Sequence, residues 1–257
     1  CRLARARTVV VPHADLDAID TALDCVTTDR ALVLTEGVYS MGGDVAPVGE
    51  LVEIAHRHGA LVVVDDAHGI GTVGPTGRGA TEELPASQRP DVLLGTASKA
   101  LGVEGGFACV DETLATLMRN CARGYVFSSA PSPVVAAGVA AAVEYLRTDT
   151  RRVCSLQANV AQARLLLAEA DLIPPSAAHD RGPIIRIPVG PESRAVAAQE
   201  ELARRGLMVG AIRYPAVARG DAILRICLTA RHTDEHIRIL VTSLREVLDG
   251  ALSDAPR

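Results

Sequence analysis

Tryptophan is absent from this sequence, and aromatic residues make up only 2% of its 257 residues. A core must therefore be built from aliphatic side chains, and the hydrophobic fraction of 48% supplies enough of them. No C-x-x-C pair occurs among the six cysteines, so the spacing typical of a metal site is missing. Several of these cysteines lie in apolar runs, where reduced thiols act as small hydrophobic groups, which favours a cytoplasmic location.

Long apolar runs and an excess of positive charge are also missing. No run is long enough to span a bilayer and no signal peptide is visible, so neither a membrane partner nor secretion is expected. The formal net charge is -5 at pH 7, which argues against a nucleic-acid partner because no face is basic enough to neutralise phosphates. The length allows one large domain, or one domain plus a smaller one.

Lysine is nearly absent as well. Lys99, in the stretch GTASKALG, is the only lysine, and the other basic residues among the 26 lysines and arginines are all arginine. An arginine stays protonated and is a poor nucleophile, whereas a lysine amine can lose its proton and attack a carbonyl. A lysine left at a surface position by chance is the alternative, and the neighbouring residues must decide between the two.

The first half of the chain alternates short apolar segments with helical patterns. Strands are predicted at 7–12, 31–37, 60–66 and 91–98, and helices at 14–26, 47–59 and 132–146. The segment 60–66 shows little alternation, which predicts a strand buried on both faces. This rhythm indicates an α/β domain whose mainly parallel sheet is covered by helices on both faces.

The pattern changes near residue 149. A long amphipathic helix at 151–172 is followed by strands at 183–190, 207–215 and 222–230, with a helix at 192–206 between the first two. A final helix is predicted with Thr233 as its N-cap and Gly250 as its stop. The sequence therefore predicts a large α/β domain over 1–148 and a small α+β domain over 149–257.

Polar residues follow three of the predicted parallel strands. In open α/β sheets, ligands bind beyond the carboxyl ends of the strands. The segments that follow these strands contain carboxylates, hydroxyls, an imidazole and the single amine: Glu36, Ser40, Asp65, Asp66, His68, Thr96, Ser98 and Lys99. We therefore expect these side chains to converge on one crevice.

A nucleotide-binding alternative rests on GIGTVG, residues 69–74, which matches G-x-G-x-x-G after a strand. In a dinucleotide site the third glycine opens a helix. Here PTGRG follows, with Pro75 and two more glycines, which is typical of a loop. The sequence therefore disfavours a dinucleotide site.

The convergence indicates pyridoxal phosphate chemistry. Enzymes that use this cofactor attach it to a lysine amine and need an acid facing the pyridinium nitrogen, since protonation there makes the ring an electron sink. Lys99 and Asp65 suit these tasks. His68 is placed to contact the phenolic oxygen of the ring, and the hydroxyls of Thr96 and Ser98 are candidates for binding the phosphate. Each of these residues taken alone is also common in ordinary turns and caps.

Four longer stretches carry a family resemblance. They are TEGVYSMGGDVAPVGELVEIAHRHGALVVVDDAHGIGTVGPTGRG, GTASKALGVEGGF, YVFSSAPSP and LRICLTARHTDEHI. In these motifs and their order the chain resembles the α-oxoamine synthases, a family of fold-type I pyridoxal phosphate enzymes. The resemblance implies a homodimer with shared active sites that condenses an amino acid with an acyl-CoA thioester and releases carbon dioxide and CoA.

The resemblance also implies a role for each matching residue. Lys99, Asp65 and His68 would be the catalytic residues that hold the cofactor. Further cofactor contacts are implied for four hydroxyl residues, the last two of which would reach the phosphate bound by the neighbouring subunit: Ser40, Thr96, Ser128 and Ser129. Arg225 would clamp the carboxylate of the amino acid substrate, a task that suits a bidentate guanidinium.

The resemblance leaves the substrates and the catalytic state open. L-Alanine with a pimeloyl thioester is the leading expectation, and glycine with acetyl-CoA or an acyl transfer of secondary metabolism are alternatives. From other classes, an aminotransferase and a non-catalytic fragment or partner subunit remain alternatives. The sequence begins at Cys1 in a stretch that reads like the middle of a domain, so we expect the N-terminal segment of the family, with its phosphate loop and ring-stacking histidine, to be missing.

Overall fold

The computed structural model describes residues 1–27 and 30–253. Its contacts divide the chain into two compact units. The first unit contains Cys1–Gly37, Ala46–Gly74 and Arg78–Arg147, and the second contains Val38–Val45, Pro75–Gly77 and the chain from Thr148 onward. The predicted boundary between two separate domains at 148 and 149 stays a prediction.

The sheet of the first unit has four strands in the order β1-β2-β3-β4. The strands are β1 (Leu32–Glu36), β2 (Leu61–Asp65), β3 (Val92–Thr96) and β4 (Gly106–Cys109). The first three are parallel, and β4 runs antiparallel to β3. The strands predicted at 31–37, 60–66 and 91–98 are therefore confirmed, as is a mainly parallel sheet.

Helices of the first unit begin and end largely where the sequence signals predict. They are α1 (Leu16–Asp24), α2 (Val48–Arg57), α3 (Glu112–Cys121), α4 (Arg123–Val126) and α5 (Pro133–Thr148). The Asp15 carboxylate accepts a hydrogen bond from the Ala18 amide at 2.9 Å and caps α1. Gly59, just beyond α2, has a φ of 66°, a left-handed conformation that favours glycine at the end of a helix.

The two faces of this sheet differ in burial. Val62 and Val64 of β2 are fully buried on the face against which α2 packs. On the opposite face, Leu32 and Leu34 of β1 are 62% and 54% exposed. The prediction that the segment 60–66 is buried on both faces is therefore wrong, because only one face of β2 is covered by described residues.

Residues 7–12 do not form the predicted strand. This described segment is irregular, and Val9 and Val10 are 57% and 89% exposed. Its β-branched residues suit a strand, but a strand also needs a hydrogen-bonded neighbour. None of the described residues pairs with this segment, and the prediction of a strand here is wrong for that reason.

The second unit contains an antiparallel sheet in the order β5-β7-β6, made of β5 (Ile184–Gly190), β6 (Gly210–Ile212) and β7 (Ala222–Cys227). Its helices are α6 (Arg151–Glu169), α7 (Glu192–Arg204) and α8 (Asp234–Ser253). An aliphatic core joins these elements and includes Leu167, Ile185, Leu202, Leu224 and Leu244.

The ends of α8 and β6 refine the predictions. Thr233 Oγ1 accepts a hydrogen bond from the His236 amide at 3.3 Å, so its N-cap role is confirmed. The stop at Gly250 is wrong because α8 continues through it to Ser253. Strand β6 is shorter than the predicted 207–215. Among the described residues, no helix combines the length and apolarity that crossing a membrane requires.

Candidate active site

Three parallel strands end at one edge of the first sheet. In the register of the sheet, Glu36 of β1 lies beside Asp65 of β2, and Asp65 lies beside Leu94 of β3. Thr96 follows Leu94 by two residues, so its side chain lies on the same face of the sheet as that of Asp65. Asp65 and Thr96 therefore lie on one face at the carboxyl edge of the sheet, and the predicted convergence of all the polar side chains on one crevice stays a prediction.

Asp65 presents an exposed carboxylate at this edge. Its Oδ1 accepts a hydrogen bond from the amide of Ala67 at 3.0 Å, which fixes the side chain against the turn that follows β2. The face on which Asp65 lies is the open face that also carries Leu32 and Leu34. A planar ligand with a hydrogen-bond donor could therefore reach this carboxylate.

His68 lies in the turn that follows Asp65 and is half-buried. Its carbonyl oxygen accepts a hydrogen bond from Thr72 Oγ1 at 2.6 Å, so the backbone that carries the imidazole is held in place. Gly74, the third glycine of GIGTVG, has a φ of 84° and is followed by turns rather than a helix. The geometry of a dinucleotide site is therefore absent from this described segment.

The turn after β3 carries two hydroxyls and the single lysine. Thr96 Oγ1 and Ser98 Oγ are hydrogen-bonded at 2.8 Å, and the Ser98 amide donates to Thr96 Oγ1 at 3.2 Å. The Lys99 carbonyl accepts from the Gly102 amide at 3.0 Å, which closes the turn, and the Lys99 side chain is exposed. An amine and two hydroxyls are thus displayed together just beyond the end of β3.

Ser128 and Ser129 lie apart from this turn in sequence, on the exposed connection between α4 and α5. The structure shows these two hydroxyls on the outside of the chain. Their predicted part in binding a phosphate held by a neighbouring subunit stays a prediction.

Arg225 and Ser40 belong to the second unit and contact each other. Arg225 Nε donates to the carbonyl oxygen of Ser40 at 2.8 Å, and its Nη1 donates to Cys227 Sγ at 3.0 Å. The half-buried guanidinium thus extends from β7 and lies against the segment that carries Ser40. Arg225, which was predicted to bind the substrate carboxylate, therefore contacts Ser40, which was predicted to contact the cofactor.

The sequence reading gave no separate role to Asp66, whose carboxyl group is fully buried. Its Oδ2 accepts a hydrogen bond from the Ala80 amide at 2.8 Å, while Oδ1 has no partner among the described residues. Burial raises the pKa of this carboxyl to about 7, the Ala80 amide lowers it, and the negative charge of Asp65 raises it further. A second aspartate directly after the predicted ring partner was the signal that could have drawn attention to it.

Arg164 was missed in the same way, because helical periodicity alone does not predict a buried arginine. Its guanidinium is 2% exposed, and its Nη2 donates to the carbonyl oxygens of Gly182 at 3.0 Å and Ile184 at 2.9 Å. Nη1 lies 3.4 Å from the Asp180 carboxylate. Burial lowers the pKa of Arg164, and the charges of Asp180 and Asp44 oppose that change.

Comparisons with known proteins show which proteins the chain is similar to. The model of the aminotransferase class I and II family matches residues 1–244. A biotin biosynthesis bifunctional protein BioWF of Cutibacterium acnes is 99% identical over 257 residues, which are 100% of this chain and 38% of that protein. A putative 8-amino-7-oxononanoate synthase of Desulfovibrio desulfuricans is 41% identical over 251 residues, which are 97% of this chain and 64% of that protein. The chain thus spans less than two thirds of either relative.

Solved structures show the same fold. A serine palmitoyltransferase variant from S. paucimobilis, with a bound PLP–myriocin aldimine, is 28% identical and superposes with a TM-score of 0.86. The superposition covers 94% of this chain and 61% of that one. The predicted α/β fold and the resemblance to the α-oxoamine synthases are therefore confirmed.

Proposed function

The chain belongs to the aminotransferase class I and II family, and on this premise we propose that it carries active-site residues of a pyridoxal phosphate-dependent acyltransferase. The reaction is the decarboxylative condensation of L-alanine with a pimeloyl thioester, as in an 8-amino-7-oxononanoate synthase of biotin biosynthesis. The proposal rests above all on one feature. The exposed Asp65 carboxylate and the turn with the single lysine lie at the ends of two neighbouring strands, on the edge of the sheet where α/β enzymes bind ligands.

The residues of this edge fit the cofactor chemically. An exposed carboxylate suits a protonated ring nitrogen, and Asp65 keeps acceptor capacity beyond its single bond to the Ala67 amide. The hydroxyls of Thr96 and Ser98, which lie 2.8 Å apart, suit phosphate oxygens. Lys99 supplies the amine, and as the only lysine it has no competitor within the chain.

Each residue would have one task in the reaction. When bound, pyridoxal phosphate supplies an electron sink that stabilises negative charge at the α-carbon of the amino acid. The Asp65 carboxylate would hold the protonated ring nitrogen. His68 would be a hydrogen-bond donor to the ring oxygen. Lys99 would hold the cofactor through its amine and would act as the general base for the α-proton of the amino acid.

Arg225 and Ser40 would contact the amino acid substrate. Arg225 Nη2 makes no hydrogen bond to a described residue, while Nε and Nη1 are already engaged and fix the plane of the guanidinium. A planar group held in this way can pair with a carboxylate at little further cost in side-chain entropy. Ser40, whose carbonyl oxygen accepts from Nε, would line the same pocket.

The names of the relatives favour this reaction over the alternatives. Both curated relatives described above carry names from the synthesis of biotin or of 8-amino-7-oxononanoate. Glycine with acetyl-CoA, or transfer of an amino group without release of CoA, would instead correspond to the other candidate activities. Either of these is an outcome of the substrate test described below.

The cofactor is tested first. The chain is incubated with pyridoxal phosphate, reduced with borohydride, digested and examined by peptide mass spectrometry. We expect a pyridoxyl adduct on the peptide with Lys99, and no adduct in a Lys99→Ala variant. The Cutibacterium acnes relative serves as a positive control because it aligns with the whole of this chain. No adduct on either protein would overturn the proposal.

The substrates are tested next by release of CoA. We expect thiol release with L-alanine and pimeloyl-CoA, and at least tenfold less with glycine and acetyl-CoA. A reversed preference would identify the alternative acyltransferase. Formation of a keto acid from the amino acid without thiol release would identify an aminotransferase and contradict the acyltransferase proposal.

We further propose a homodimer and a cytoplasmic location. Helix α5 is rich in valine and alanine, yet none of its residues is buried. The neighbouring apolar side chains are also exposed, with Tyr125 at 67%, Phe127 at 80% and Val134 at 81%. Exposed apolar clusters of this kind mark association sites, and Ser128 and Ser129 lie within this one. All six cysteines are free, which suits a reducing compartment.

The homodimer is tested by Val134→Asp, which adds a charge to the exposed cluster without entering a core. Sedimentation velocity at several concentrations should show a dimer dissociation constant at least tenfold higher than that of the unchanged chain. Met208→Asp is the matched control, because Met208 is 99% exposed and lies in the second unit. Equal effects of the two substitutions, or a monomer throughout, would contradict the proposal.

A further inference from the structure

Asp66 ties together three segments around the candidate site. Its amide donates to the carbonyl oxygen of Leu94 in β3 at 2.9 Å, and its carboxylate Oδ2 accepts from the Ala80 amide at 2.8 Å. Its own carbonyl oxygen accepts from the amides of Gly69 and Ile70, both at 3.1 Å. One residue therefore connects the end of β2 with β3, with the turn after β2 and with the loop at residue 80.

The space around the Asp66 carboxyl is set by three glycines. A Cβ atom placed on Gly37, Gly69 or Gly79 would overlap this carboxyl group. Gly79 has a φ of 97°, so its backbone also favours glycine, but Gly37 and Gly69 do not have left-handed backbone angles. Close approach to the carboxyl is therefore the reason for glycine at those two positions. The backbone of these three glycines therefore lies close against one fully buried side chain, an arrangement called the cage below.

This cage lies one residue from the proposed ring partner. Asp65 Oδ1 accepts its hydrogen bond from the Ala67 amide, so the direction of the Asp65 carboxylate depends on the peptide between Asp66 and Ala67. The side chain of Asp66 and the bond from its amide to Leu94 hold one end of that peptide. A shift of the peptide would carry the carboxylate of Asp65 with it.

We propose that Asp66 is a positioning residue that fixes the Asp65 carboxylate through the peptide it shares with Ala67. The enclosed side chain of Asp66 and its hydrogen bond from the Ala80 amide hold this peptide in place. Asp66 itself does not contact a ligand. The inference deepens the proposed function, on which its relevance to the cofactor rests, but the effect on Asp65 itself does not require a cofactor. The side chain's shape and its acceptor for Ala80 matter, rather than a negative charge.

A comparison of two variants isolates this effect. Asp66→Asn keeps the shape and an acceptor for the Ala80 amide, whereas Asp66→Ala empties the cage, and neither variant has an ionisable group at this position. NMR follows the Ala67 amide resonance as Asp65 titrates, because an amide that donates to a carboxylate responds to its ionisation. We expect the titration shift to persist in D66N and to fall at least threefold in D66A. The Asp65→Asn variant, which lacks the carboxylate, gives the baseline.

Equal Ala67 titration shifts in D66A and D66N would overturn the proposal. If D66A does not fold, Asp66→Ser takes its place, since its side chain is shorter than that of aspartate and leaves the cage partly empty. Leu23→Ala, in the core between α1 and α2, is the control for general destabilisation. It should lower the unfolding midpoint and leave the Ala67 titration unchanged.

Cofactor binding gives a second readout. We expect the Kd for pyridoxal phosphate to rise at least tenfold in D66A and less than threefold in D66N and L23A. An equal Kd in D66A and D66N would count against the proposal. If the unchanged chain forms no adduct at Lys99, the proposed function fails on its own, and the Ala67 titration still decides whether Asp66 positions Asp65.

Discussion

The substitution Asp66→Asn should change how stability depends on pH. In the unfolded chain an aspartate ionises near 3.8, whereas burial raises the pKa of Asp66 in the folded protein to about 7. Between these two values the folded protein binds more protons than the unfolded chain, so its stability falls as pH rises and stays flat above the folded pKa. Asparagine cannot ionise, and D66N therefore lacks this loss.

The size of the effect follows from the two pKa values. One pKa unit corresponds to about 1.36 kcal/mol, so the ionisation of Asp66 lowers the free energy of unfolding by about 4 kcal/mol in total. An experiment from pH 5 to pH 8.5 measures only the part of this decline that occurs between pH 5 and the folded pKa of about 7. D66N should therefore gain about 3 kcal/mol of unfolding free energy relative to the unchanged chain over that range. At pH 5 the unchanged chain has already lost about 1.6 kcal/mol of this unfolding free energy, because the unfolded aspartate ionises near 3.8.

Urea unfolding at half-unit steps from pH 5 to pH 8.5 measures this difference, and other titrating groups cancel because both proteins share them. The charge of Asp65 contributes to the raised pKa, so in an Asp65→Asn background the decline should occur at lower pH. The difference in unfolding free energy between D66N and the unchanged chain should change with pH. A change of less than about 0.5 kcal/mol from pH 5 to pH 8.5 would show that Asp66 is not desolvated as its burial implies.

Three further substitutions test other parts of the chain. Lys99→Ala should lower thiol release from the acyl-CoA at least about a hundredfold, since a general base contributes on this order, and undiminished release would exclude Lys99 from the reaction. Arg225→Lys should raise the KM for L-alanine about tenfold with a smaller change in kcat, because a lysine cannot make the bidentate contact; an unchanged KM would assign the carboxylate to another residue. Arg164→Met should cost about 3–5 kcal/mol in urea unfolding, because it leaves Asp180 and several buried carbonyl oxygens without their donor, and a loss below about 1 kcal/mol would show that these groups find other partners.

Sequence patterns predicted the parallel sheet and the polar residues at the carboxyl ends of its strands, because both depend on local signals. Apolar runs of strand length, separated by capped helices, specify β1 to β3, and their polar ends must meet when the strands are parallel and adjacent. The single lysine could be recognised from composition alone. Thr233 was recognisable as a cap because N-capping depends on a residue and its next few amides.

Features that depend on long-range packing were not predictable in this way. Arg164 has the spacing of an ordinary helical residue, and its burial depends on carbonyl oxygens from residues 182 and 184. Asp66 looks like a second turn aspartate until Gly37 and Gly79, distant in sequence, are seen to enclose it. Gly250 resembled a helix stop, yet α8 continues because propensity at one residue is small compared with the rest of a long helix.

The wrong predictions for residues 7–12 and 60–66 and the proposed dimer have a common physical origin. An apolar side chain in a sequence indicates a surface that becomes covered, but it does not indicate which polypeptide covers it. Leu32 and Leu34 on the open sheet face and Val134 on α5 are apolar and exposed within this chain. Patterning therefore overestimated burial at the strand and helix faces that described residues leave open. The same exposure supports the proposed association at α4 and α5, where Ser128 and Ser129, which are proposed to reach a neighbouring active site, lie among exposed apolar side chains.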